Sequence, residues 1–421
     1  MRKAAVGIVA KLRQCGYEAL FAGGWVRDFL LGRKAKDIDI ATNAPPEAVQ
    51  GLFPGSKAIG AAFGVVQVRR HGHTFEVATF RRDHDYRDGR HPEKVTFSTA
   101  EEDAARRDFT VNGLFYDPMG ERLIDYVGGQ DDLRRKILRA IGDAPRRFAE
   151  DKLRMLRAVR FACELGFEIE QKTWEAVKTF SRDISVVSRE RIRDEFFKVL
   201  TGTDPGKGLN LLREGGLLAQ ILPETVWLRD DAAFTVARDA VAALRHPSPS
   251  LAAGALLHGC VGGGADVELI CRQLRMSGGE IARTVALVSS LNIFAAPDAL
   301  AQSAKIRLLG KPDIREHLEL LRARLIAGGQ SLAPYASWRR ELQAWRRFPP
   351  PPPLVDGDDL VALGYQPGPL FREILRATED LQYEGELTTR PEALHYIQSH
   401  WGTSKKPADK APPKREKRSL L

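Results

Sequence analysis

The sequence predicts a protein that is predominantly helical overall, with an α+β domain at the N-terminal end and an all-α region after it. Short β-type runs ("EALFAGG", "DIDIAT", "GVVQVRR", "HTFEVATF") alternate with helical stretches up to residue 138. After residue 139 the β signals disappear, and apolar residues recur at helical spacing. With 421 residues, the chain is too long for a single core, so two to four domains are expected.

Composition and pattern divide the chain further. The α+β domain is predicted at 1–138, and helical segments at 139–200, 201–348 and 349–402. The last of these follows a run of five prolines, Pro349 to Pro353, which interrupts any helix and forms a stiff connector. Residues 403–421 are basic and proline-containing, and are predicted to be disordered.

The overall charge favours a polyanionic partner. The net charge is +9, of which +5 comes from seven Lys or Arg and two acidic residues between positions 405 and 418. No apolar run approaches a membrane span, and the start of the chain is typical of an amphipathic helix rather than a signal peptide. The scattered cysteines form no C-x-x-C pair, which fits a reducing cytoplasm: Cys15, Cys163, Cys260 and Cys271.

The stretch "KAKDIDIATN" places two carboxylates inside a strand-like run. Because side chains alternate along a strand, Asp37 and Asp39 share one face, while Ile38 and Ile40 take the other. Two carboxylates so close repel each other unless a cation lies between them, and Mg²⁺ is the usual partner for such oxygen ligands. The alternative is a solvated edge strand whose acidic residues discourage aggregation.

Upstream, "LFAGGWVRDFLLG" indicates a strand that ends in Gly23-Gly24 and runs into a helix at Val26. Bare backbone N–H groups at Gly24 can approach a phosphate there, and Arg27, one turn into the helix, can bind a phosphate oxygen. A tight turn without function is the alternative. The position of the glycines, 13 residues before Asp37, favours the phosphate interpretation.

Six motifs occur in a characteristic order: "GGWVRDFLLG", "DIDIAT", "EVATFRRDHDYRDGRHPEKVTF", "RRDFTVNGLFYDP", "RRFAEDKLRMLRAVRFACELGF" and "ERIRDEFFKVL". In this set the chain resembles the bacterial-type (class II) CCA-adding tRNA nucleotidyltransferases and the related poly(A) polymerases. The resemblance is dense over residues 15–225 and returns weakly at "LVDGDDLVALGYQPGPLFREIL". It implies a polymerase β-like nucleotidyltransferase head, followed by a helical neck, body and tail.

The resemblance also implies the chemistry. Asp37 and Asp39 would hold two Mg²⁺ ions while a tRNA 3′-hydroxyl attacks the α-phosphate of an incoming nucleotide and pyrophosphate leaves. Glu76, in "HTFEVATF", is the expected third carboxylate, and its alternative is an exposed strand residue. The implied partners are the tRNA 3′ end, CTP and ATP. No membrane and no protein partner is indicated.

In "ARRDFTVN" the resemblance assigns Arg107, Asp108 and Asn112 to the nucleotide sugar. A carboxylate that accepts a hydrogen bond from a 2′-hydroxyl distinguishes ribose from deoxyribose. Phe109 and Val111 are predicted to be core residues.

The segment "EDKLR" resembles the family's base-selecting element. Asp151 and Arg154 are expected three residues apart on one helix face, where the alternative is a weak surface ion pair. Cytosine and adenine both present an amino donor beside a ring-nitrogen acceptor, whereas uracil and guanine present a carbonyl beside an N–H. An Asp acceptor with an Arg donor therefore fits C and A.

Arg157 and Arg160 continue the three-residue spacing and slip about 60° around the helix at each step. They are predicted to form a slanting basic stripe suited to the triphosphate and to neighbouring contacts. Leu153, Leu156 and Val159 cover the opposite arc and are predicted to be core residues.

The polar segment Arg81 to Val95, "RRDHDYRDGRHPEKV", is predicted to be a mobile loop beside the metal site. In the family an intact loop accompanies addition of the terminal A, so its full length argues against an enzyme that adds only C. Full CCA addition is favoured, and A-only addition and poly(A) synthesis stay open.

Two features depart from the family pattern: Gly113 stands where relatives commonly have Ala, and Ala144 where a Pro-containing variant is frequent. Two other classes compete with the assignment. A non-catalytic RNA-binding module does not need the carboxylates, and a small-molecule nucleotidyltransferase does not need the long helical region.

Overall fold

The structure is a computed structural model that describes residues 1–35, 37–59, 64–86, 92–223, 225, 230–259 and 264–402. The predicted disordered segment, 403–421, lies outside the described residues. The chain divides into two compact units, Met1–Ser289 with Ile326–Gly328, and Ser290–Leu325 with Gly329–Leu421. The finer boundaries expected at residues 138, 200 and 348 stay predictions.

The N-terminal region is built on a seven-stranded sheet with the strand order β3-β4-β5-β2-β1-β8-β9. Its strands are β1 (Ala19–Ala22), β2 (Asp39–Thr42), β3 (Lys57–Ala58), β4 (Val65–Arg70), β5 (His73–Thr79), β8 (Phe115–Asp117) and β9 (Arg122–Ile124). The helices of this region are α1 (Arg2–Gln14), α2 (Gly24–Leu30), α3 (Pro46–Leu52), α4 (Ala100–Ala105) and α5 (Gly129–Arg135). The expected α+β domain is confirmed.

The centre of the sheet brings acidic residues together. Strands β2 and β5 run parallel, and Ile40 lies opposite Val77. Asp39 precedes Ile40 and Glu76 precedes Val77, so these two acidic residues are neighbours on adjacent strands. Ile38 and Ile40 are 1% and 0% exposed, while Asp37 and Asp39 are exposed. The predicted alternation of the two faces is therefore correct.

A separate antiparallel pair, β6 (Arg81–Tyr86) and β7 (Pro92–Phe97), follows β5. The prediction of a loop from Arg81 to Val95 is wrong over these two stretches, and residues 87–91 lie outside the described part. The sequence concealed the strands because the run is polar. Backbone pairing, from Arg81 opposite Phe97 to Tyr86 opposite Pro92, forms this hairpin.

The rest of the first unit is helical. Its helices are α6 (Ala144–Glu150), α7 (Leu153–Leu165), α8 (Gln171–Phe180), α9 (Arg189–Leu200), α10 (Pro205–Glu214), α11 (Leu218–Ile221), α12 (Asp231–Ala242), α13 (Pro249–Leu257), α14 (Gly264–Gln273) and α15 (Gly278–Ala295), the last of which continues into the second unit. Helix α7 packs against α9 and α10. Leu153, Leu156 and Val159 are buried, as predicted. One small β feature persists, since β10 (Ile137–Leu138) pairs with β11 (Glu168–Ile169).

The second unit is also helical: α16 (Gln302–Leu309), α17 (Ile314–Ala327), α18 (Ala333–Arg347), α19 (Gly357–Ala362), α20 (Pro369–Glu384) and α21 (Arg390–Trp401). No helix covers the proline run between α18 and α19, as predicted. The core beyond it includes Leu360, Tyr365, Ile374 and Ile397. Among the described residues no helix combines the length and the apolar character that crossing a bilayer needs.

Candidate active site

A cavity of about 350 Å³ lies in the first unit, beside the start of β2 and of α7. Nine of the twelve residues predicted from the sequence line it: Gly24, Arg27, Asp39, Arg107, Asp108, Asn112, Asp151, Arg154 and Arg157. Asp37, Glu76 and Arg160 do not line it, whereas Gly23, Arg106 and Phe161 do. We call this space the arginine cavity.

A larger cavity, of about 1010 Å³, lies in the second unit. Trp345, Phe371, Leu375 and Tyr383 contribute to its wall, which is mainly apolar. The arginine cavity is the better candidate for chemistry on phosphates because it combines several guanidinium groups with the carboxylate of Asp39 and the turn at Gly23 and Gly24.

The carboxylate cluster consists of Asp37, Asp39 and Glu76. Although the side chain of Asp39 reaches solvent, the surrounding protein removes part of its hydration, and this raises its pKa; the charges of Asp37 and Glu76 raise it further, to about 6, against the opposing effect of Arg107. The cluster therefore carries electrostatic repulsion that a cation would relieve.

The donor chemistry of this cluster fits a hard divalent ion. Within the described part of the chain, no three His, Cys, Asp or Glu side chains come close enough to enclose an ion by themselves. Magnesium at a phosphoryl-transfer site takes several of its oxygens from substrate and water, so one or two carboxylates suffice. Asp37 and Asp39 meet that requirement.

The turn at Gly23 and Gly24, called here the glycine turn, needs a glycine at position 23 for steric reasons. Gly23 has a φ of +66°, and a Cβ there would lie 2.8 Å from Nη1 of Arg107. Helix α2 begins at Gly24, two residues earlier than expected, and its residue Arg27 is 5% exposed. Arg27 donates to Asp28 at 2.9 Å and to Oδ1 of Asn112 at 2.8 Å. The turn thus allows both arginines to approach the cavity.

Asn112 and Asp108 link Arg27 to Arg157. Nδ2 of Asn112 donates to Oδ1 of Asp108 at 3.0 Å, and the Phe109 N–H donates to the same oxygen at 2.8 Å. Arg157 donates from Nε and Nη2 to Oδ2, at 2.8 and 2.6 Å. Asp108 is 9% exposed. Burial opposes its ionisation, yet Arg157 and these hydrogen bonds lower its pKa to about 2.

These contacts bear on the expected sugar contact. A carboxylate offers about four acceptor sites, and the four donors to Asp108 fill them. A ribose hydroxyl can bond to this group only by displacing one donor. The assignment of Asp108 to the sugar stays a prediction. Phe109 and Val111 are fully buried, as expected of core residues.

Asp103 and Arg106 were not found by sequence reasoning. Asp103 is 1% exposed and binds Arg106 through Oδ1, at 2.6 Å, and Arg107 through Oδ2, at 2.9 Å. Burial opposes ionisation, but the two arginines lower the pKa of Asp103 overall. The spacing of Asp103 from both arginines, three and four residues, was the available signal. Asp103 also lies 3.4 Å from the Arg81 N–H, at the base of the β6–β7 hairpin.

The expected helical placement of Asp151 is wrong. Helix α6 ends at Glu150, and Asp151 follows it with φ −142° and ψ 105°. Oδ1 of Asp151 accepts from the Leu153 N–H at 3.1 Å, and Oδ2 accepts from Arg191 of α9 at 2.9 Å. The break between α6 and α7 still brings Asp151 and Arg154 to the same cavity.

Arg154 is 8% exposed and is held by backbone and carboxylate groups. It donates to Glu150 at 2.9 Å, to the Arg147 carbonyl at 3.1 Å and to the Arg106 carbonyl at 3.1 Å. All three contacts use its Nη1 and Nη2 atoms. Arg154 is therefore fixed in direction before any ligand binds.

The structure does not bring Arg160 to the arginine cavity. Arg160 donates to Glu195 of α9 at 2.6 Å and to Glu164 at 2.9 Å. The slip of the basic stripe around α7 carries Arg160 toward α9 instead, and its expected role near the triphosphate stays a prediction. Its guanidinium carbon does lie 3.9 Å from the centre of the Phe161 ring.

Gly113, the first departure from the family pattern, is tightly packed. A Cβ at this position would lie 2.7 Å from Cγ2 of Val127 and 3.2 Å from Cδ1 of Ile141. The glycine follows Asn112 directly but contributes no side chain to the cavity. Ala144, the second departure, is buried in the first turn of α6.

Two family profiles match the chain: one described as poly A polymerase head domain, at residues 19–139, and one described as probable RNA and SrmB-binding site of polymerase A, at residues 166–228. The CCA-adding enzyme of Geobacillus stearothermophilus is 46% identical over 218 residues, which are 52% of this chain and 54% of that protein. The CCA-adding enzyme of Bacillus cereus (strain 03BB102) is 43% identical over 220 residues, which are 52% of this chain and 55% of that protein. The chain spans about half the length of the curated relatives it matches.

Solved structures extend the likeness. The crystal structure of the Bacillus stearothermophilus CCA-adding enzyme in complex with CTP has a TM-score of 0.77 and 31% identity, with 95% of this chain and 98% of that chain covered. The Thermotoga maritima CCA-adding enzyme complexed with tRNA has a TM-score of 0.67, 20% identity and 94% coverage of both chains. At that identity the second likeness shows the fold alone.

Proposed function

Because this chain belongs to the family of class II CCA-adding tRNA nucleotidyltransferases and related poly(A) polymerases, we propose that it adds C, C and A to the 3′ end of tRNA, with CTP and ATP as substrates. The observation that supports this best is the arginine cavity. It joins Asp39, four further arginines (Arg27, Arg106, Arg107 and Arg157) and the Asp151–Arg154 pair in one space.

In the proposed reaction the 3′-hydroxyl oxygen of the tRNA bonds to the α-phosphorus of the nucleotide. The bond from that phosphorus to the bridging oxygen breaks, pyrophosphate leaves, and the hydroxyl proton passes to water. Such a transfer needs positioning and neutralisation of charge more than covalent help from the protein. Arg27, Arg107 and Arg157 supply positive charge at fixed positions in the cavity.

We assign Mg²⁺ to Asp37 and Asp39, with Glu76 beside them. When bound, the ion neutralises charge on the phosphates and activates the attacking hydroxyl. The protein's part is to hold the two carboxylates at the start of β2, with Asp39 as its first residue and Asp37 two residues before it. The raised pKa of Asp39 and the oxygen chemistry of the cluster support this assignment.

Base selection is proposed to lie with Asp151 and Arg154. Each oxygen of Asp151 accepts one bond in the protein, which leaves capacity for the amino group of C or A. Arg154 is held in direction by three contacts and can donate to the neighbouring ring nitrogen. Uracil and guanine offer the opposite pattern and are rejected.

We propose further that residues 1–138 form the catalytic head, 139–200 the helical neck that selects the base, 201–348 a helical body and 349–402 a helical tail. The reaction is assigned to the cytoplasm, where the scattered cysteines stay reduced.

The test is a tRNA that ends at its discriminator base, incubated with CTP, with ATP and with both, followed by sequencing of the 3′ ends. We expect two C residues with CTP alone, and CCA with a stop after one A when both are present. Addition of A to a tRNA already ending in CC, without any use of CTP, would indicate an A-adding enzyme. A long A tract on unrelated RNA would indicate a poly(A) polymerase.

Pyrophosphate release should require both Mg²⁺ and tRNA. Release without tRNA would indicate a small-molecule nucleotidyltransferase. Binding of tRNA without any release would indicate a non-catalytic RNA-binding module.

A further inference from the structure

Phe161, on α7, shares its ring with three guanidinium groups. The guanidinium carbons of Arg27, Arg157 and Arg160 lie 5.3, 5.1 and 3.9 Å from the ring centre. Each distance is within the range of an attractive cation–π contact. The ring is 6% exposed and lines the arginine cavity.

The three arginines differ in their other hydrogen-bond partners. Arg27 and Arg157 line the cavity and are linked through Asn112 and Asp108. Arg160 lies outside it, with Glu195 and Glu164 as partners. Among the described residues, Phe161 is therefore the one side chain whose ring makes cation–π contacts with all three of these arginines.

Three guanidinium groups around one ring repel each other, and an aliphatic side chain at position 161 would not offset this repulsion. The face of an aromatic ring carries partial negative charge and attracts each guanidinium. Phe109 packs edge-to-face on the ring, with centroids 5.9 Å apart, and fixes its orientation. The ring thus offers a rigid, weakly negative support beneath the cations.

We propose that Phe161 is a positioning residue for the phosphates of the nucleotide: its ring face holds Arg27 and Arg157 in the orientation that binds them. This inference rests on the proposed function, because it requires a nucleoside triphosphate in the arginine cavity. Phe161 acts through the two arginines and not through contact with the base. Because its contribution is electrostatic, it should change with the electron density of the ring even when the shape of the side chain is unchanged.

The experiment replaces Phe161 by 4-fluoro-, 3,5-difluoro- and 3,4,5-trifluorophenylalanine, which keep the shape of the ring and progressively weaken its negative face. The matched control is the same series at Phe196 of α9, which is 0% exposed and has Phe197 as its aromatic neighbour at 6.0 Å. Calorimetry measures the Kd of each protein for CTP and for inorganic tripolyphosphate, which has no base.

At position 161 we expect the affinity for both probes to fall stepwise with each fluorine, reaching about 3- to 30-fold at the end of the series. The series at Phe196 should leave both affinities unchanged. Phe161→Leu should show at least the loss of the trifluoro variant, and the isosteric series keeps the test decisive should that variant fold poorly.

A flat series at position 161 overturns the proposal. Loss of CTP affinity with unchanged tripolyphosphate affinity also overturns it, because the ring would then act on the base directly. A wild-type protein that binds neither CTP nor tripolyphosphate contradicts the proposed function itself, which distinguishes the two failures.

Discussion

Arg191 of α9 donates a 2.9 Å hydrogen bond to the carboxylate of Asp151, from 40 residues along the chain. The other oxygen of Asp151 accepts from the Leu153 N–H at 3.1 Å. Asp151 lies in the gap between α6 and α7, so these two contacts fix a side chain that no helix positions. Helix α9 is thereby part of the candidate base-selecting site.

Replacing Asp151 by Ala should relax the discrimination against UTP and GTP by about 10- to 100-fold, while total turnover falls less. The substitution deletes the acceptor for the amino group of C and A and leaves the carboxylates of Asp37 and Asp39 intact. Competition assays with labelled nucleotides on tRNA measure both quantities. Arg191→Gln retains the acceptor and should show a smaller relaxation in the same direction. An Asp151→Ala enzyme that loses rate but keeps its preferences would make Asp151 a structural residue.

Asp37→Ala and Asp39→Ala should each reduce nucleotide incorporation by at least about 100-fold, because each removes a proposed Mg²⁺ ligand. The affinity for tRNA should survive, since phosphate-directed binding comes from Lys and Arg residues elsewhere. Incorporation assays and filter binding give the two measurements. Asp131→Ala is the control, because its exposed side chain pairs with Arg134 on the surface of α5. More than a few per cent of activity in the Asp37→Ala or the Asp39→Ala enzyme contradicts the metal assignment.

The raised pKa of Asp39, about 6 against an ordinary 3.8, predicts a pH-dependent cost in the metal-free protein. Between these values the folded state binds more protons than the unfolded state, so stability falls as pH rises from 3.8 through 6. Asp39→Asn should therefore have the higher Tm above pH 6 in the presence of a chelator, and the difference should shrink on acidification. Differential scanning calorimetry from pH 4 to 8 checks this. An equal Tm at pH 8 would show that Asp39 carries no such repulsion.

Deletion of Asp83 to Lys94 should spare the addition of C and suppress the addition of A, since the resemblance associates this segment with the terminal A. The deletion leaves Arg81, whose N–H meets Asp103, and the last residues of β7 in place. Incorporation of labelled CTP and ATP on matched tRNA ends separates the two activities. Equal loss of both would remove the proposed role of this hairpin.

Alternation over residues 37–40, which lead into β2, could be predicted because burial of Ile38 and Ile40 enforces a period of two on Asp37 and Asp39. The break at Asp151 was harder, since "RRFAEDKLRML" contains no Gly or Pro and its apolar spacing continues through it. The signal was Asp151 itself, because Asp is common just before a helix, where its side chain can accept from a free N–H at the helix start, here that of Leu153.

Long-range partners could not be predicted in this way. Arg160 follows the same spacing as Arg154 and Arg157, yet Glu195 on a later helix binds it. Arg191 reaches Asp151 by the same packing of α9 near α7. Helical periodicity gives the direction of a side chain around its own helix but not which neighbouring helix lies there.

The close packing around Gly113 has an evolutionary consequence. A methyl group at this position would overlap Cγ2 of Val127, so an alanine requires a smaller or shifted side chain at 127. The two positions are expected to change together across the family, and a Gly113→Ala substitution alone should lower the Tm, while Gly113→Ala with Val127→Ala should recover much of the loss.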